Sequence, residues 1–180
     1  RMRAQVKQDF EGVEKATATR ADMDRLLDRF KDNSKYFMAL RDNFGTLKAV
    51  MSGPKHAATD HALIVGVAKL YDPTSAAMIG EQAVVRDTRS WPETLKTLWA
   101  KVQRGEDLDP RQYEDFWDMA ERKMREHAKI QISLEGEYRK QATARGIKPE
   151  QVIIDHLGDL RRYGEPGGGM PKVMGGRLGR

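Results

Sequence analysis

The 180-residue sequence contains no cysteine. That excludes a disulfide-stapled scaffold, a thiolate-held zinc or iron–sulfur centre, and a cysteine nucleophile. Long apolar runs are also missing. The longest, Ala62 to Ala68, is seven residues and contains Gly66, against about 20 for a membrane-spanning helix. No apolar stretch of the signal-peptide kind opens the chain, so export by the host secretion route is not expected. Neither sign of charge dominates: 32 Lys+Arg face 27 Asp+Glu, a net +5. Such an excess permits weak attraction to nucleic acid without demanding it. Aromatic residues make up only 7% of the chain and mean hydropathy is −0.71. The length suits one domain, or one compact domain with an extended arm. Arg1-Met2-Arg3 already reads as helix, and the chain is expected to be a fragment of a longer polypeptide.

What is present reads as helix throughout. Met23, Phe30, Phe37, Phe44 and Met51 recur every seven residues, and Leu26, Leu40 and Leu47 follow three of them by three. This is the a/d spacing of a coiled-coil seam, with Asn33 interrupting one d position. Val6, Phe10 and Val13 follow a shifted phase upstream. A helix of this pattern either packs on its own domain or bundles with another chain. Ser52-Gly53-Pro54 ends it. A second helix, about Lys55 to Tyr71, is apolar on nearly every face over Ala62–Ala68, which marks the buried centre of a bundle. Asp72-Pro73 caps a short helix of about Thr74 to Val85. Ser90-Trp91-Pro92-Glu93 reads as a capping box opening a helix that Gly105 ends near Arg104, with Leu95, Leu98, Trp99 and Val102 on one face. Asp109-Pro110 opens a long helix to about Arg145, striped by Tyr113, Trp117, Ala120, Met124, Leu134 and Tyr138 and stopped by Gly146. Lys148-Pro149-Glu150 starts one more short helix, ending between Leu157 and Arg162. From Gly164 to Arg180 the chain carries seven glycines, two prolines and three basic residues, too little apolar surface to order itself.

The expected fold is therefore all-α. It is an elongated multi-helix bundle with one long heptad-patterned N-terminal helix (1–53), a helical module (54–163) and a flexible Gly-rich basic arm (164–180). Trp91, Trp99 and Trp117 are expected in the core.

Candidate chemistry is sparse. His56 and Asp60 share a spacing that can place two ligands on one helix face, but no H-E-x-x-H accompanies them; His61, His127 and His156 stand apart. Carboxylates cluster at Asp22/Asp24/Asp28, Glu106/Asp107/Asp109 and Glu114/Asp115/Asp118, where helix starts and solvated faces explain them. Neither Ser75 nor Ser90 lies in a G-x-S-x-G elbow, and Gly167-Gly168-Gly169 and Gly175-Gly176 lack the strand and the Lys-Ser/Thr of a phosphate loop. No catalytic residue, metal site or cofactor is expected. Arg161, Arg162, Lys172, Arg177 and Arg180 form a basic C-terminal region able to contact phosphate or a protein groove.

The ordered pieces Asp60-His61-Ala62-Leu63-Ile64, Lys69-Leu70-Tyr71-Asp72-Pro73-Thr74-Ser75, Gly80-Glu81-Gln82-Ala83, Ser90-Trp91-Pro92-Glu93, Gly105-Glu106-Asp107-Leu108-Asp109-Pro110-Arg111-Gln112, Asp115-Phe116 and Gly146-Ile147-Lys148-Pro149-Glu150 resemble a helical module of bacteriophage internal virion and DNA-ejection proteins. The resemblance covers about half the chain. Where that pattern has Arg-Glu before Gly80-Glu81, this sequence has Met78-Ile79. The resemblance implies a non-enzymatic structural component of the virion, made in the host cytoplasm and sited in the capsid interior or the portal and tail region. It would assemble with copies of itself and with portal or tail proteins for genome delivery. It singles out Lys69, Asp72 and Glu81 as the module's polar residues. Short-range helices without cysteine suit passage through a narrow portal. On this view the interface is the seam Met23, Phe30, Phe37, Phe44 and Met51. Two alternatives stand beside it: a nucleic-acid-binding module using the basic arm, and part of a cell-wall-degrading virion enzyme.

Overall fold

The computed structural model describes residues 2–71 and 92–165, with side chains from residue 19 onward. The chain is all-α: five α-helices and two 3-10 turns, with no strand among the described residues. The helices are α1 (Met2–Met51), α2 (Ala57–Tyr71), α3 (Glu93–Gln103), α4 (Pro110–Ala144) and α5 (Arg161–Gly164). None is long and apolar enough to cross a membrane.

The helix ends follow from local chemistry. Asp109 Oδ1 accepts from the backbone N–H groups of Arg111 (2.9 Å) and Gln112 (3.0 Å), while Gln112 Oε1 accepts from Asp109 N–H at 2.9 Å. This reciprocal box, with Pro110 at the first helical position, fixes the start of α4. Gly105 and Gly146 adopt φ of +80° and +69°, the left-handed conformation that closes a helix. Each carries the paired bonds of a Schellman turn: Glu106 N–H to Lys101 O and Gly105 N–H to Val102 O after α3, Ile147 N–H to Ala142 O and Gly146 N–H to Thr143 O after α4.

Two compact units divide the chain, one of Arg1–Lys35 with Ile130–Gly158 and one of Tyr36–Lys129 with Asp159–Arg180. α1 and α4 contribute residues to both. In the first unit Leu26 and Phe30 of α1 are buried with Tyr138 and Ala142 of α4 and with Ile147 and Val152 beyond it. The Phe30 ring meets Tyr138 edge-on at 5.3 Å and stacks on His156 at 5.8 Å. Gln131 Nε2 donates to Ser34 Oγ at 3.1 Å, a buried polar pair between the two helices.

In the second unit Phe37, Leu40, Phe44 and Leu47 of α1 are buried, as are Leu63, Ile64, Val65, Val67, Ala68 and Leu70 of α2. The burial expected of the apolar α2 is present. α2 packs on α3, whose Leu95, Leu98 and Trp99 are buried. Phe44 packs against Trp117 at 5.4 Å and Tyr163 at 5.8 Å. Gly66 lets α2 approach α1: a Cβ there would lie 3.0 Å from Leu47 Cδ1.

Three expectations need correction. First, the seam is filled from within the chain: Phe30, Phe37 and Phe44 are buried by its own elements, and Met23 and Met51 are half-buried. Second, its register departs from a strict heptad. Ser34, not Asn33, takes the buried position, because the inward set runs Leu26, Phe30, Ser34, Phe37, with two successive steps of four. Asn33 is exposed and donates from Nδ2 to Tyr138 Oη at 2.9 Å. Third, no helix spans 148–162. A 3-10 turn at Pro149–Gln151 gives way to coil, then to a 3-10 turn at Gly158–Leu160 and α5. Asp155 Oδ1 accepts from Leu157 and Gly158 N–H at 3.1 Å each, holding a turn that competes with helix, and Gly158 has φ +48°. α3 starts with Pro92 at its N-cap and, among the described residues, without a side-chain cap; Ser90 of the expected box lies outside the described residues.

In α4, Tyr113, Ala120, Met124 and Tyr138 are buried as expected, while Trp117 and Leu134 are half-buried beside the buried Phe116 and Glu135. The helix expected at 74–85, Trp91 and residues 166–180 of the arm lie outside the described residues.

Candidate functional site

A buried polar centre forms at Asp60, 3% exposed on the first turn of α2. Its Oδ2 accepts from Leu108 N–H at 2.9 Å, and its Oδ1 accepts from the Tyr113 hydroxyl. Leu108 lies in the α3–α4 connection and Tyr113 in the first turns of α4. One carboxylate thus ties the start of α2 to the entry of α4. Lys55 Nζ sits 4.5 Å from the centroid of the Tyr113 ring. Burial and the Asp60 carboxylate raise the pKa of the Tyr113 hydroxyl well above its ordinary value near 10. Both carboxylate oxygens are engaged by buried donors, so the arrangement serves as a joint.

The His56–Asp60 spacing does not bring the two side chains together. His56 precedes α2 and is exposed; its ring lies 3.3 Å from Thr59 Oγ1, while Asp60 turns inward to Leu108 and Tyr113. Thr59 Oγ1 donates to Pro54 O at 2.7 Å, fastening the turn that enters α2. The described residues hold no group of three or more His, Asp or Glu placed to bind a metal. Glu106 pairs with Arg104 at 2.9 Å, and Asp109 is spent on the α4 cap.

The remaining histidines are held by aromatic neighbours. His61 lies 5.1 Å from Trp99 and His127 4.9 Å from Tyr36. Burial and Lys123 lower the pKa of His127, and its Nε2 is buried with no hydrogen bond among the described residues.

Of the module's polar residues, only Lys69 is described; it is half-buried near the end of α2, and its carbonyl accepts from Asn43 Nδ2 at 3.4 Å. Asp72 and Glu81 lie outside the described residues. In the basic C-terminal region Arg161 and Arg162 open α5, and the Arg162 guanidinium lies 5.8 Å from the Tyr163 ring centroid. Lys172, Arg177 and Arg180 lie outside the described residues. Tyr163 itself is fully buried, its hydroxyl has no hydrogen bond among the described residues, and burial with nearby Glu121 raises its pKa to about 12.

Sequence reasoning missed one grouping. A cavity of about 240 Å³ in the first unit is lined by Asp22, Arg25, Leu26, Arg29 and Arg145. Arg25 and Arg29 are one helical turn apart, a visible signal, but nothing local places Arg145 beside them. Comparison with known protein families, with curated proteins and with solved structures finds no match to this chain.

Proposed function

We propose that the chain is a structural and interaction module of a bacteriophage virion protein, of the internal or ejection type or associated with portal and tail, acting by helix packing with no chemistry of its own. The observation that carries this reading is the ordered set of motif pieces over residues 60–154. The structure offers a physical account of why several of them would travel together. Asp60, from the first piece, bonds Leu108, from the Gly105–Gln112 piece. Gly105 closes α3, Asp109 and Gln112 open α4, and Gly146-Ile147 closes it. The pieces are the joints of a helical scaffold.

In this reading the module is an elongated bundle assembling side by side with copies of itself in the virion. Since Phe30, Phe37 and Phe44 are used internally, the interchain contact does not rest on the aromatic seam. Sedimentation velocity across a concentration series tests it. Wild type should form oligomers that grow with concentration. A wild-type chain that stays monomeric, and that does not bind the purified portal or tail proteins encoded beside it, overturns the reading.

A further inference from the structure

We propose that the cleft lined by Arg25, Arg29 and Arg145 binds a phosphate group. Two guanidinium groups come from successive turns of α1 and the third from the residue that follows α4. Leu26, 1% exposed, is the one apolar residue of the lining; the three arginines are exposed, so they meet an anion as solvated charges whose pull is screened by salt. One carboxylate shares the lining: Asp22 Oδ1 lies 3.7 Å from Arg25 Nη1. Three cations against one anion leave two positive charges uncompensated.

Local architecture accounts for part of this set. Arg25 has Asp22, and Arg145 suits the negative end of the α4 dipole. Arg29 has neither, and its guanidinium makes no ion pair among the described residues. It also stands one turn from Arg25, an unfavourable like-charge spacing on a helix. An anion in the cleft relieves that repulsion. The charge excess matches a phosphate monoester, which carries about −1.5 to −2 at neutral pH, better than a single carboxylate. Guanidinium forks suit tetrahedral oxyanions. The cavity of about 240 Å³ equals the volume of roughly eight waters at ~30 Å³ each, enough for a phosphate with part of its hydration. The phosphate can be free or part of a nucleic-acid backbone.

Calorimetric titration of the purified chain at low ionic strength, with inorganic phosphate and separately with a short single-stranded DNA, tests the site. Wild type should bind phosphate saturably at one site. Arg29→Gln should weaken binding about tenfold or more, Arg29→Lys should weaken it less, and the Arg25→Gln/Arg29→Gln/Arg145→Gln triple should abolish it. Arg111→Gln, an exposed arginine of the second unit, should change nothing, and all variants should melt like wild type. Binding of DNA that requires the three arginines and falls linearly in log–log with salt assigns the phosphate to a nucleic-acid backbone. If neither probe binds, or if Arg111→Gln weakens binding as much as Arg29→Gln, the proposal fails.

Discussion

Replacing Asp60 by alanine removes the acceptor from two buried donors at once. Leu108 N–H and the Tyr113 hydroxyl both point at this carboxylate, and Asp60, Leu108 and Tyr113 are 3%, 8% and 2% exposed. Each stranded buried donor costs about 1–3 kcal/mol. Two of them, with the small void left behind, bring the expected loss to roughly 3–5 kcal/mol, a large share of the ~5–15 kcal/mol typical of a domain. Tyr113→Phe removes one donor and leaves the Leu108 bond intact, so its loss should be nearer 1–2 kcal/mol. Because both substitutions act on one bond, their effects in a double-mutant cycle should fall short of additivity by at least about 1 kcal/mol. The described tryptophans, Trp99 and Trp117, belong to the same unit as Asp60, so urea titration followed by tryptophan fluorescence reads the right part of the molecule. An Asp60→Ala loss under about 0.5 kcal/mol, or strict additivity with Tyr113→Phe, would refute the reasoning.

Two further outcomes follow from the same geometry. Gly136→Ala should stabilise by roughly 0.5–1 kcal/mol, since an added Cβ meets nothing within 4 Å and alanine is the better helix former. Gly66→Ala should show no such gain, because its Cβ would press on the fully buried Leu47 at 3.0 Å; thermal melts of the two variants separate the cases. At alkaline pH the buried tyrosines destabilise the fold. The Tyr163 pKa lies near 12 when folded and about 10 when unfolded. Its contribution is therefore intact below pH 10 and is lost as pH rises toward 12, a change of order 2–3 kcal/mol. Tyr113 acts in the same direction. Tyr163→Phe should flatten part of that decline in urea midpoints measured between pH 9 and 12.

How much of the architecture was legible depended on whether a signal was local. Asp109-Pro110, Gly105 and Gly146 mark helix boundaries in the sequence and act as such, because each cap is closed by bonds spanning only a few residues. The run 148–162 misled because Pro149 and Glu150 suit a helix start, whereas the turn held by Asp155 and the separate burial of Val152, His156 and Leu157 ended the helix there. The seam was visible as a spacing, yet a spacing does not say which surface covers it. Nor could it show that Ser34 would turn inward, since that depended on Gln131 being opposite.

By itself the sequence determined that the fold is all-α, where several of its helices stop, and that α2 must be buried. Capping and amphipathicity act over one or two turns and need no distant partner. Only the tertiary structure decided that α1 spends its aromatic seam on its own chain, that Asp60 answers Leu108 and Tyr113, and that Arg145 joins Arg25 and Arg29. Each of these pairings joins residues remote in sequence, and the energy that selects them exists only once the helices have packed.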